Sequence, residues 1–247
     1  MTPFSLIGKT ILITGASSGI GRSMSIVCSK MGANVIITGR NAIRLSETFA
    51  LLDGENHIQY AANLTNDIEL QSLVEFLPRL DGFISNAGIA KPLVLQLTDA
   101  ADVDEIFKIN ALVPINLTRL IVQQKKLNKG ASLVYISSIN GNNISSYGSS
   151  IYAASKSSLT GFIKGVALEL APREIRVNSI CPGMIETDIF KDANIGQDEL
   201  ERDRLKYPLK RYGKPEEVAY AAVYLLSDAA QWITGSNLLI DGGFTLQ

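Results

Sequence analysis

Short apolar segments, most of them continuously apolar, alternate with longer amphipathic segments along the whole chain. The apolar segments predict seven β-strands, at residues 10–14, 35–38, 58–61, 82–85, 133–137, 176–180 and 238–240. The amphipathic segments predict helices near residues 20–31, 41–52, 66–77, 100–127, 150–171 and 215–227. Strands that are apolar throughout are typical of a sheet covered on both faces, and strand–helix alternation gives right-handed crossovers between parallel strands. The pattern predicts an α/β fold: a doubly wound, seven-stranded parallel sheet flanked by helices on both faces.

The length of the chain suits one such domain. The 247 residues match an α/β domain of ordinary size, and no linker or low-complexity tract divides them. We therefore predict a single domain over residues 1–247. Residues 184–212 fit neither a strand nor a core helix and include the charged cluster at 199–204. This segment is either a solvated loop or a lid over a ligand.

Composition excludes several classes of function. The formal net charge is −1, so no excess of cations is available for nucleic-acid phosphates. No run of about 18 apolar residues and no leader pattern is present, so we expect no membrane association and a cytoplasmic protein. The single histidine, His57, cannot build a triad or a zinc site, and no metal site is predicted. Cys28 and Cys181 are expected to be buried core thiols.

A glycine-rich turn, TGASSGIG at residues 14–21, joins the first predicted strand to the first helix. Glycine lets the chain turn sharply and lets a phosphate approach the backbone, while the helix N-terminus offers free N–H groups. Its place between a buried strand and a helix is what a dinucleotide site requires, although the spacing is G-x-x-x-G-x-G. We predict a Rossmann fold whose turn binds the nucleotide through Gly15, Ser17, Ser18, Gly19, Ile20 and Gly21.

The end of the second predicted strand bears on which dinucleotide binds. NAD sites usually place a carboxylate there for the adenosine ribose, whereas this chain has Gly39 followed by Arg40. A guanidinium suits a 2′-phosphate, and the Ser17 hydroxyl in the glycine turn is a further candidate donor to the same phosphate. The alternative is that Arg40 is only a surface cation. The residues favour NADP(H) over NAD(H).

Tyr152 and Lys156 stand four residues apart in a predicted helix, so they share one face about a turn apart. An ammonium near a phenol favours the phenolate, so we expect Lys156 to lower the pKa of Tyr152. Such a tyrosine can exchange a proton with a carbonyl or an alcohol. The pair alone is common by chance. Ser138, however, follows a buried strand at the sheet edge where ligands of open α/β sheets bind.

With these motifs in place, residues 8–245 resemble the short-chain dehydrogenase/reductase family over nearly their whole length. The resemblance is carried by TGASSGIG at 14–21, SNAG at 85–88, Asn110, ISS at 136–138, YAASK at 152–156, CPG at 181–183 and GSNLLIDGG at 235–243. It implies hydride transfer between a nicotinamide and a carbonyl or secondary alcohol. It also implies a catalytic tetrad of Asn110, Ser138, Tyr152 and Lys156.

The resemblance also implies a role for each site residue. Ser138 would bind the substrate oxygen, Tyr152 would transfer the proton, Lys156 would bind the nicotinamide ribose, and Asn110 would hold a water of a proton relay. The family pattern favours Ser138 over Ser137 as the catalytic hydroxyl. The implied cofactor contacts, beyond the glycine turn and Arg40, are Asn63, Leu64, Asn86, Ala87, Gly88, Asn110, Tyr152, Lys156, Pro182, Gly183, Ile185 and Thr187. Asn63 stands where the family often has aspartate, and Ser85 replaces the first asparagine of NNAG.

The segment PLKRYGKPEEVA at 208–219 resembles that of 3-oxoacyl-(acyl-carrier-protein) reductases. This implies a small-molecule carbonyl or alcohol substrate linked to an acyl carrier protein, with sugars, steroids and small alcohols as alternatives. Lys129 and Arg173 fall near positions that dock the acidic carrier in those reductases, but both are equally ordinary as helix-end cations.

Small residues on more than one face of the 150–171 helix, including Gly161 and Gly165, allow a second helix to approach closely. The alternative is packing against the sheet of the same chain. Because the family usually pairs this helix across subunits, we expect a homotetramer, with a dimer as the alternative.

A non-catalytic dinucleotide sensor is disfavoured because the tetrad is complete. An epimerase or dehydratase of nucleotide sugars usually needs a larger C-terminal region.

Overall fold

A computed structural model describes residues 2–187 and 197–246 of the chain. Seven strands form one sheet: β1 (Thr10–Thr14), β2 (Asn34–Gly39), β3 (Ile58–Ala61), β4 (Leu80–Ser85), β5 (Leu127–Ile136), β6 (Arg176–Pro182) and β7 (Asn237–Ile240). Every pairing in the sheet is parallel. All seven predicted strands are therefore present, although β5 begins six residues before its predicted start.

Helices connect the strands on both faces. They are α1 (Gly19–Lys30), α2 (Ala42–Phe49), α3 (Asp67–Phe76), α4 (Ala100–Phe107), α5 (Val113–Gln123), α6 (Ser150–Leu170), α7 (Gln197–Arg204) and α8 (Pro215–Leu226). The predicted 100–127 helix is thus two helices, which a π-helical turn at Lys108–Leu112 joins. Short 3₁₀ turns lie at Leu95–Leu97, Ala171–Arg173, Asp228–Ala230 and Phe244–Leu246.

The order of strands in the sheet is β3-β2-β1-β4-β5-β6-β7. The chain winds outward from β1 in one direction through β2 and β3, and in the other direction through β4 to β7. Between β1 and β4 the winding direction reverses, which opens a crevice at the carboxyl ends of these strands. This doubly wound order confirms the predicted Rossmann fold. It also brings the residues that follow β1, β4, β5 and β6 to one edge of the sheet.

Two apolar layers cover the two faces of the sheet. Successive side chains in β1 point to opposite faces. Ile11 and Ile13 pack in the layer that contains residues of α1 and α8, whereas Leu12 packs in the layer that contains residues of α5 and α6. Burial on both faces explains why the inner strands are mostly apolar, whereas the edge strands β3 and β7 alternate between half-buried and exposed residues. One domain over residues 1–247 stays a prediction, and so does a lid at 184–212, because residues 188–196 lie outside the described residues.

Candidate active site

The glycine turn after β1 is closed by contacts that only glycine permits. Gly15 and Gly19 have positive φ angles of 65° and 52°. A Cβ atom at Gly21 would lie 2.1 Å from the carbonyl oxygen of Gly15. The Asn86 amide from the end of β4 donates to the carbonyls of Thr14 and Gly15, at 3.0 and 3.2 Å. The G-x-x-x-G-x-G spacing therefore folds the turn back on the first turn of α1.

The start of α1 fits the diphosphate of a nicotinamide dinucleotide. The first four N–H groups of a helix have no partner within the helix. Here Ser18 makes no side-chain capping hydrogen bond, and the first turn contains no acidic residue. Thr187 reaches the same turn from the segment after β6, since its Cγ2 would lie 3.3 Å from a Cβ at Gly19. Free donors and the positive end of the helix dipole are the groups that bind a phosphate.

The end of β2 lies beside the glycine turn, as the sequence predicts. Gly39 is buried, and the Ser17 hydroxyl would lie 3.4 Å from a Cβ at Gly39. Arg40 follows and is exposed. At the end of β3, Leu64 is buried, and the Asn63 Oδ1 accepts hydrogen bonds from the amide and the hydroxyl of Thr65. An adenine contact through that oxygen would have to share it with Thr65.

The segment after β4 links the nucleotide half of the site to the catalytic half. The Thr14 hydroxyl accepts hydrogen bonds from the backbone N–H groups of Asn86 and Ala87, at 3.0 and 3.1 Å. A Cβ at Gly88 would lie 3.0 Å from the Asn110 Oδ1 and 3.2 Å from the Lys156 Nζ. Because Gly88 has no side chain, its backbone can approach the Asn110 amide and the Lys156 amine closely.

Asn110 lies in the π-helical turn between α4 and α5 and is fully buried. Its Oδ1 accepts a hydrogen bond from the Ile89 N–H at 2.8 Å, and its Nδ2 donates to the Ile89 carbonyl at 2.9 Å. The Nδ2 also donates to the Ser155 hydroxyl in α6, at 3.1 Å. Both amide hydrogens are committed to protein groups, so the side chain fixes the segment after β4 against α6. Its role in a water relay stays a prediction.

The two serines after β5 have different partners. The Ser137 hydroxyl donates to the Lys156 carbonyl at 3.1 Å and accepts a hydrogen bond from the Asn142 Nδ2 at 2.9 Å. The Ser138 hydroxyl accepts a hydrogen bond from the Asn140 N–H at 3.1 Å, and it lies near enough to the Tyr152 phenol to lower its pKa. Ser137 is therefore used to anchor α6. This arrangement supports Ser138 as the hydroxyl that acts with the tyrosine.

The Tyr152–Lys156 pair lies in the first two turns of α6, and burial shifts both of its pKa values. The Lys156 side chain is 5% exposed and donates from Nζ to the Ile136 carbonyl at 2.9 Å. Burial lowers the pKa of Lys156 to about 8. Burial also raises the pKa of Tyr152, and the nearby Ser138 hydroxyl opposes this only in part. The direction is opposite to the lowered tyrosine pKa that the sequence predicts, because burial has the largest effect on the phenol.

The segment after β6 closes the site from the other side. The Gly183 N–H donates to the Ile240 carbonyl at 2.8 Å, directly after Pro182. A Cβ at Gly183 would lie 3.0 Å from the Asp241 Cα, so the two strand ends approach closely. Ile185 is buried and forms a β-bridge with Gly213. These contacts carry the chain from β6 toward Thr187 and the glycine turn.

Lys129 and Arg173, which resemble carrier-docking residues, lie at the opposite edge of the sheet from this chain's own site. Arg173 precedes β6 and donates to the Leu127 carbonyl at 2.6 Å, while Lys129 pairs with Glu174 at 2.7 Å. Both stand at the amino ends of their strands, whereas Ser138 follows the carboxyl end of β5. The ten residues of β5 span about 30 Å. These cations therefore do not line the site of their own chain.

Sequence reasoning missed Asn142 and Ser155. The Ser155 hydroxyl donates to the Tyr152 carbonyl at 2.7 Å and accepts from Asn110. Asn142 joins the end of β5 to α6. Ser155 lies inside the YAASK motif, which is the one signal that draws attention to it. Asn142 lies in a loop of mixed polar residues that carries no such signal.

The described residues contain neither a cluster of metal ligands nor a membrane-spanning helix. Within residues 2–187 and 197–246, no group of three or more His, Cys, Asp or Glu side chains is placed to hold a metal ion. None of the helices in that part of the chain is long and apolar enough to cross a membrane. Cys28 and Cys181 are both buried free thiols, as expected.

A dinucleotide turn and a Ser–Tyr–Lys group meet at the carboxyl edge of one parallel sheet. A site of this kind defines a nicotinamide-dependent oxidoreductase that acts on a carbonyl/alcohol pair.

Comparisons with known proteins identify the family. The sequence model of the family described as enoyl-(acyl carrier protein) reductase matches residues 15–245. The 3-oxoacyl-(acyl-carrier-protein) reductase FabG of Rickettsia felis is 36% identical, with 98% of each chain covered. Nodulation protein G of Rhizobium meliloti is 35% identical, with 98% of this chain and 99% of that protein covered. The structure of a short-chain dehydrogenase/reductase from Serratia marcescens matches with a TM-score of 0.89 and 29% identity, covering 97% of this chain and 99% of that one. This chain belongs to the short-chain dehydrogenase/reductase family.

Proposed function

We propose that this chain reduces a 3-oxoacyl group carried on an acyl carrier protein, with NADPH as the reductant. The observation that carries the catalytic part is that the Ser138 hydroxyl lies near enough to the Tyr152 phenol to lower its pKa, one helical turn from the buried Lys156. The substrate class rests on relatives such as the Rickettsia felis and Thermotoga maritima FabG reductases, which are 36% and 35% identical to this chain.

In this mechanism the chain supplies the proton and the alignment. The Ser138 hydroxyl binds the ketone oxygen and holds it beside the Tyr152 phenol. When bound, the reduced nicotinamide supplies the hydride that adds to the carbonyl carbon. Tyr152 donates its proton to the oxygen, so the ketone becomes a secondary alcohol. Lys156 stabilises the phenolate that this step leaves and binds the nicotinamide ribose. Asn110 would hold the water through which the phenol regains a proton.

The preference for NADP(H) is the second part of the proposal. Gly39 stands where NAD sites have an acidic residue, whose carboxylate binds the adenosine 2′-hydroxyl and would repel a 2′-phosphate. This strand end therefore carries no such negative charge. Arg40 is exposed at this strand end, and the Ser17 hydroxyl lies on the other side of Gly39. A guanidinium and a hydroxyl around an unobstructed strand end suit a phosphate dianion.

A homotetramer, with a dimer as the alternative, is the third part. A Cβ at Gly161 or Gly165 would meet nothing within 4 Å among the described residues, so these glycines do not serve packing against the sheet of the same chain. Leu168, one turn further along α6, is 79% exposed. Because Lys129 and Arg173 lie at the far edge of the sheet, they can meet a carrier protein at an active site only if that site belongs to another subunit.

The segment at 184–212 is proposed as a lid over the site. The Tyr212 hydroxyl donates to the Asp203 carboxylate of α7 at 2.8 Å, and the Met184 N–H donates to the Tyr207 hydroxyl at 3.3 Å. These bonds attach the described parts of the segment to one another beside the site. The protein is further proposed to be cytoplasmic, and cell fractionation tests this location.

The decisive test measures initial rates of NADPH and NADH oxidation with a 3-oxoacyl thioester, free and on an acyl carrier protein. We expect rapid turnover with NADPH, faster for the carrier-linked substrate, and almost none for the Tyr152→Phe variant. That variant keeps the ring and loses the transferable proton, so its nucleotide affinity should be nearly unchanged. Turnover of sugars, steroids or small ketones in preference to the thioester would refute the substrate class. Substantial activity of Tyr152→Phe would refute the role of the tyrosine.

A further inference from the structure

Asn142, in the loop between β5 and α6, connects three elements of the site through one side-chain amide. Its Nδ2 donates to the Ser137 hydroxyl at 2.9 Å and to the Ser138 carbonyl at 2.8 Å. The same nitrogen lies 3.7 Å from the Cys181 sulfur at the end of β6. Its Oδ1 accepts a hydrogen bond from the Thr160 hydroxyl in α6. The amide thus ties both strand ends to the catalytic helix.

The first consequence concerns Ser138. The bond from Asn142 to the Ser138 carbonyl fixes the peptide that follows this residue, while the Asn140 N–H holds the Ser138 hydroxyl from the other side. The hydroxyl in turn lies near the Tyr152 phenol. Rotation of the Ser138 peptide would carry the hydroxyl away from the tyrosine, because a side chain turns with its backbone.

The second consequence concerns Lys156, which is held at both ends by the same short segment. Its Nζ donates to the Ile136 carbonyl, and its own carbonyl accepts from the Ser137 hydroxyl. The Asn142 Nδ2 donates to one acceptor site of the Ser137 oxygen, so the hydroxyl hydrogen is directed at the Lys156 carbonyl. Hydrogen bonds in such a chain polarise and strengthen one another.

We propose that Asn142 is a positioning residue of the reaction, which sets the orientation of Ser138 directly and the position of Lys156 through Ser137. The inference rests on the proposed tetrad and adds a residue outside it. An asparagine amide supplies two donors for β5 and an acceptor for α6. Aspartate lacks the donors and leucine lacks both, although leucine has a similar volume.

The experiment compares Asn142→Leu with the wild-type enzyme and with Asn128→Leu as a matched control. Asn128 donates to Asp81 at 2.8 Å near the start of β5, so its replacement also removes a side-chain hydrogen bond, but at the far edge of the sheet. For Asn142→Leu we expect kcat to fall about 10- to 100-fold, which is the effect of displacing a reacting group by a fraction of an ångström to an ångström. KM and the Kd of the nucleotide should stay within about threefold, and the midpoint of the kcat–pH profile should move. Asn128→Leu should lower only the melting temperature.

The role of the α6 contact is tested with Thr160. Thr160→Ser keeps the hydroxyl and should keep wild-type kcat, whereas Thr160→Val removes it and should reduce kcat with the same shift in the pH profile. These variants decide the matter if Asn142→Leu does not fold. An unchanged kcat and pH midpoint in Asn142→Leu, or in Thr160→Val where the leucine variant is insoluble, would overturn the proposal.

The Tyr152→Phe variant, assayed in parallel, distinguishes a failure of the positioning role of Asn142 from a failure of the proposed catalytic tetrad. If Tyr152→Phe turns over substrate at a substantial rate, the tetrad itself is wrong. If Tyr152→Phe is inactive while Asn142→Leu behaves as the wild type, the tetrad stands and only the positioning role fails.

Discussion

Replacing Lys156 with methionine should make the protein more stable at neutral pH while it removes activity. The side chain is 5% exposed, and burial lowers the pKa of its amine from an ordinary value of 10.5 to about 8. A pKa that is lower in the folded chain means that burial of the charged amine opposes folding. Methionine fills a similar volume without the charge, so it removes this opposition.

The magnitude follows from the pKa change. A fall from 10.5 to about 8 corresponds to about 3 kcal/mol, at about 1.4 kcal/mol for each pKa unit. The variant also leaves the Ile136 carbonyl without the donor at 2.9 Å, which costs about 1 kcal/mol. We therefore expect the free energy of unfolding of Lys156→Met to exceed that of the wild type by about 2 kcal/mol at pH 7.

The pH dependence gives the prediction its sign. Below pH 8 the amine is charged in both the folded and the unfolded chain, so the whole opposition is present. Between about pH 8 and 10.5 the folded chain loses the proton first, so the wild type becomes more stable relative to the variant as pH rises. The advantage of Lys156→Met should be nearly gone by about pH 10.

The assay is urea unfolding of both proteins without nucleotide, at equal concentration, from pH 7 to 10. Lys30→Met, at the exposed last turn of α1, controls for the loss of a lysine and should change stability by at most about 1 kcal/mol at every pH. A Lys156→Met protein that is less stable than the wild type at pH 7 would refute the reasoning. So would a stability difference that stays constant up to pH 10.

Three further predictions concern the nucleotide and the assembly. Arg40→Ala should raise the Kd of NADPH about 10- to 100-fold and leave that of NADH nearly unchanged in fluorescence titrations, since a bond to a charged group contributes about 1.5–3 kcal/mol; equal losses would show a surface cation. Gly21→Ala should weaken both nucleotides at least about 10-fold, because its Cβ would lie 2.1 Å from the Gly15 carbonyl oxygen and force the turn open; unchanged affinity would contradict this. Gly165→Trp should dissociate the oligomer in sedimentation velocity while each subunit stays folded, and an unchanged sedimentation coefficient would place the interface elsewhere.

Local sequence signals were sufficient for the sheet and for the glycine turn. The five inner strands are buried over most of their length and are mostly apolar, so their positions can be predicted without knowing their neighbours, whereas the edge strands β3 and β7 are only half-buried. The residue at the end of β2 could be assigned to the nucleotide side because the parallel order places every carboxyl strand end at one edge. Gly39 and Ser17 are 22 residues apart in sequence and adjacent in the structure for this reason.

The π-helical turn at Lys108–Leu112 could not be predicted in this way. Ile106 and Val113 are buried on either side of it, so the apolar pattern continues through the turn and indicates a single helix. A shift of one residue in the hydrogen-bond ladder leaves no compositional trace. The partners of Asn142 were hidden for a related reason, because Thr160 and Cys181 are 18 and 39 residues away along the chain. No local sequence pattern predicts that the Asn142 amide will contact these two residues.

The pKa values could not be predicted because they depend on burial more than on spacing. The spacing of Tyr152 and Lys156 puts phenol and amine on one helix face, but their surroundings decide the protonation states. Burial raises the pKa of the phenol and lowers that of the amine, so it opposes the charged form of each group. With a pKa of about 8 the amine still carries its charge at neutral pH, whereas the phenol keeps its proton. The proton is therefore on the tyrosine, where the proposed reduction of a ketone needs it, and the charged amine is available to stabilise the phenolate that its transfer leaves.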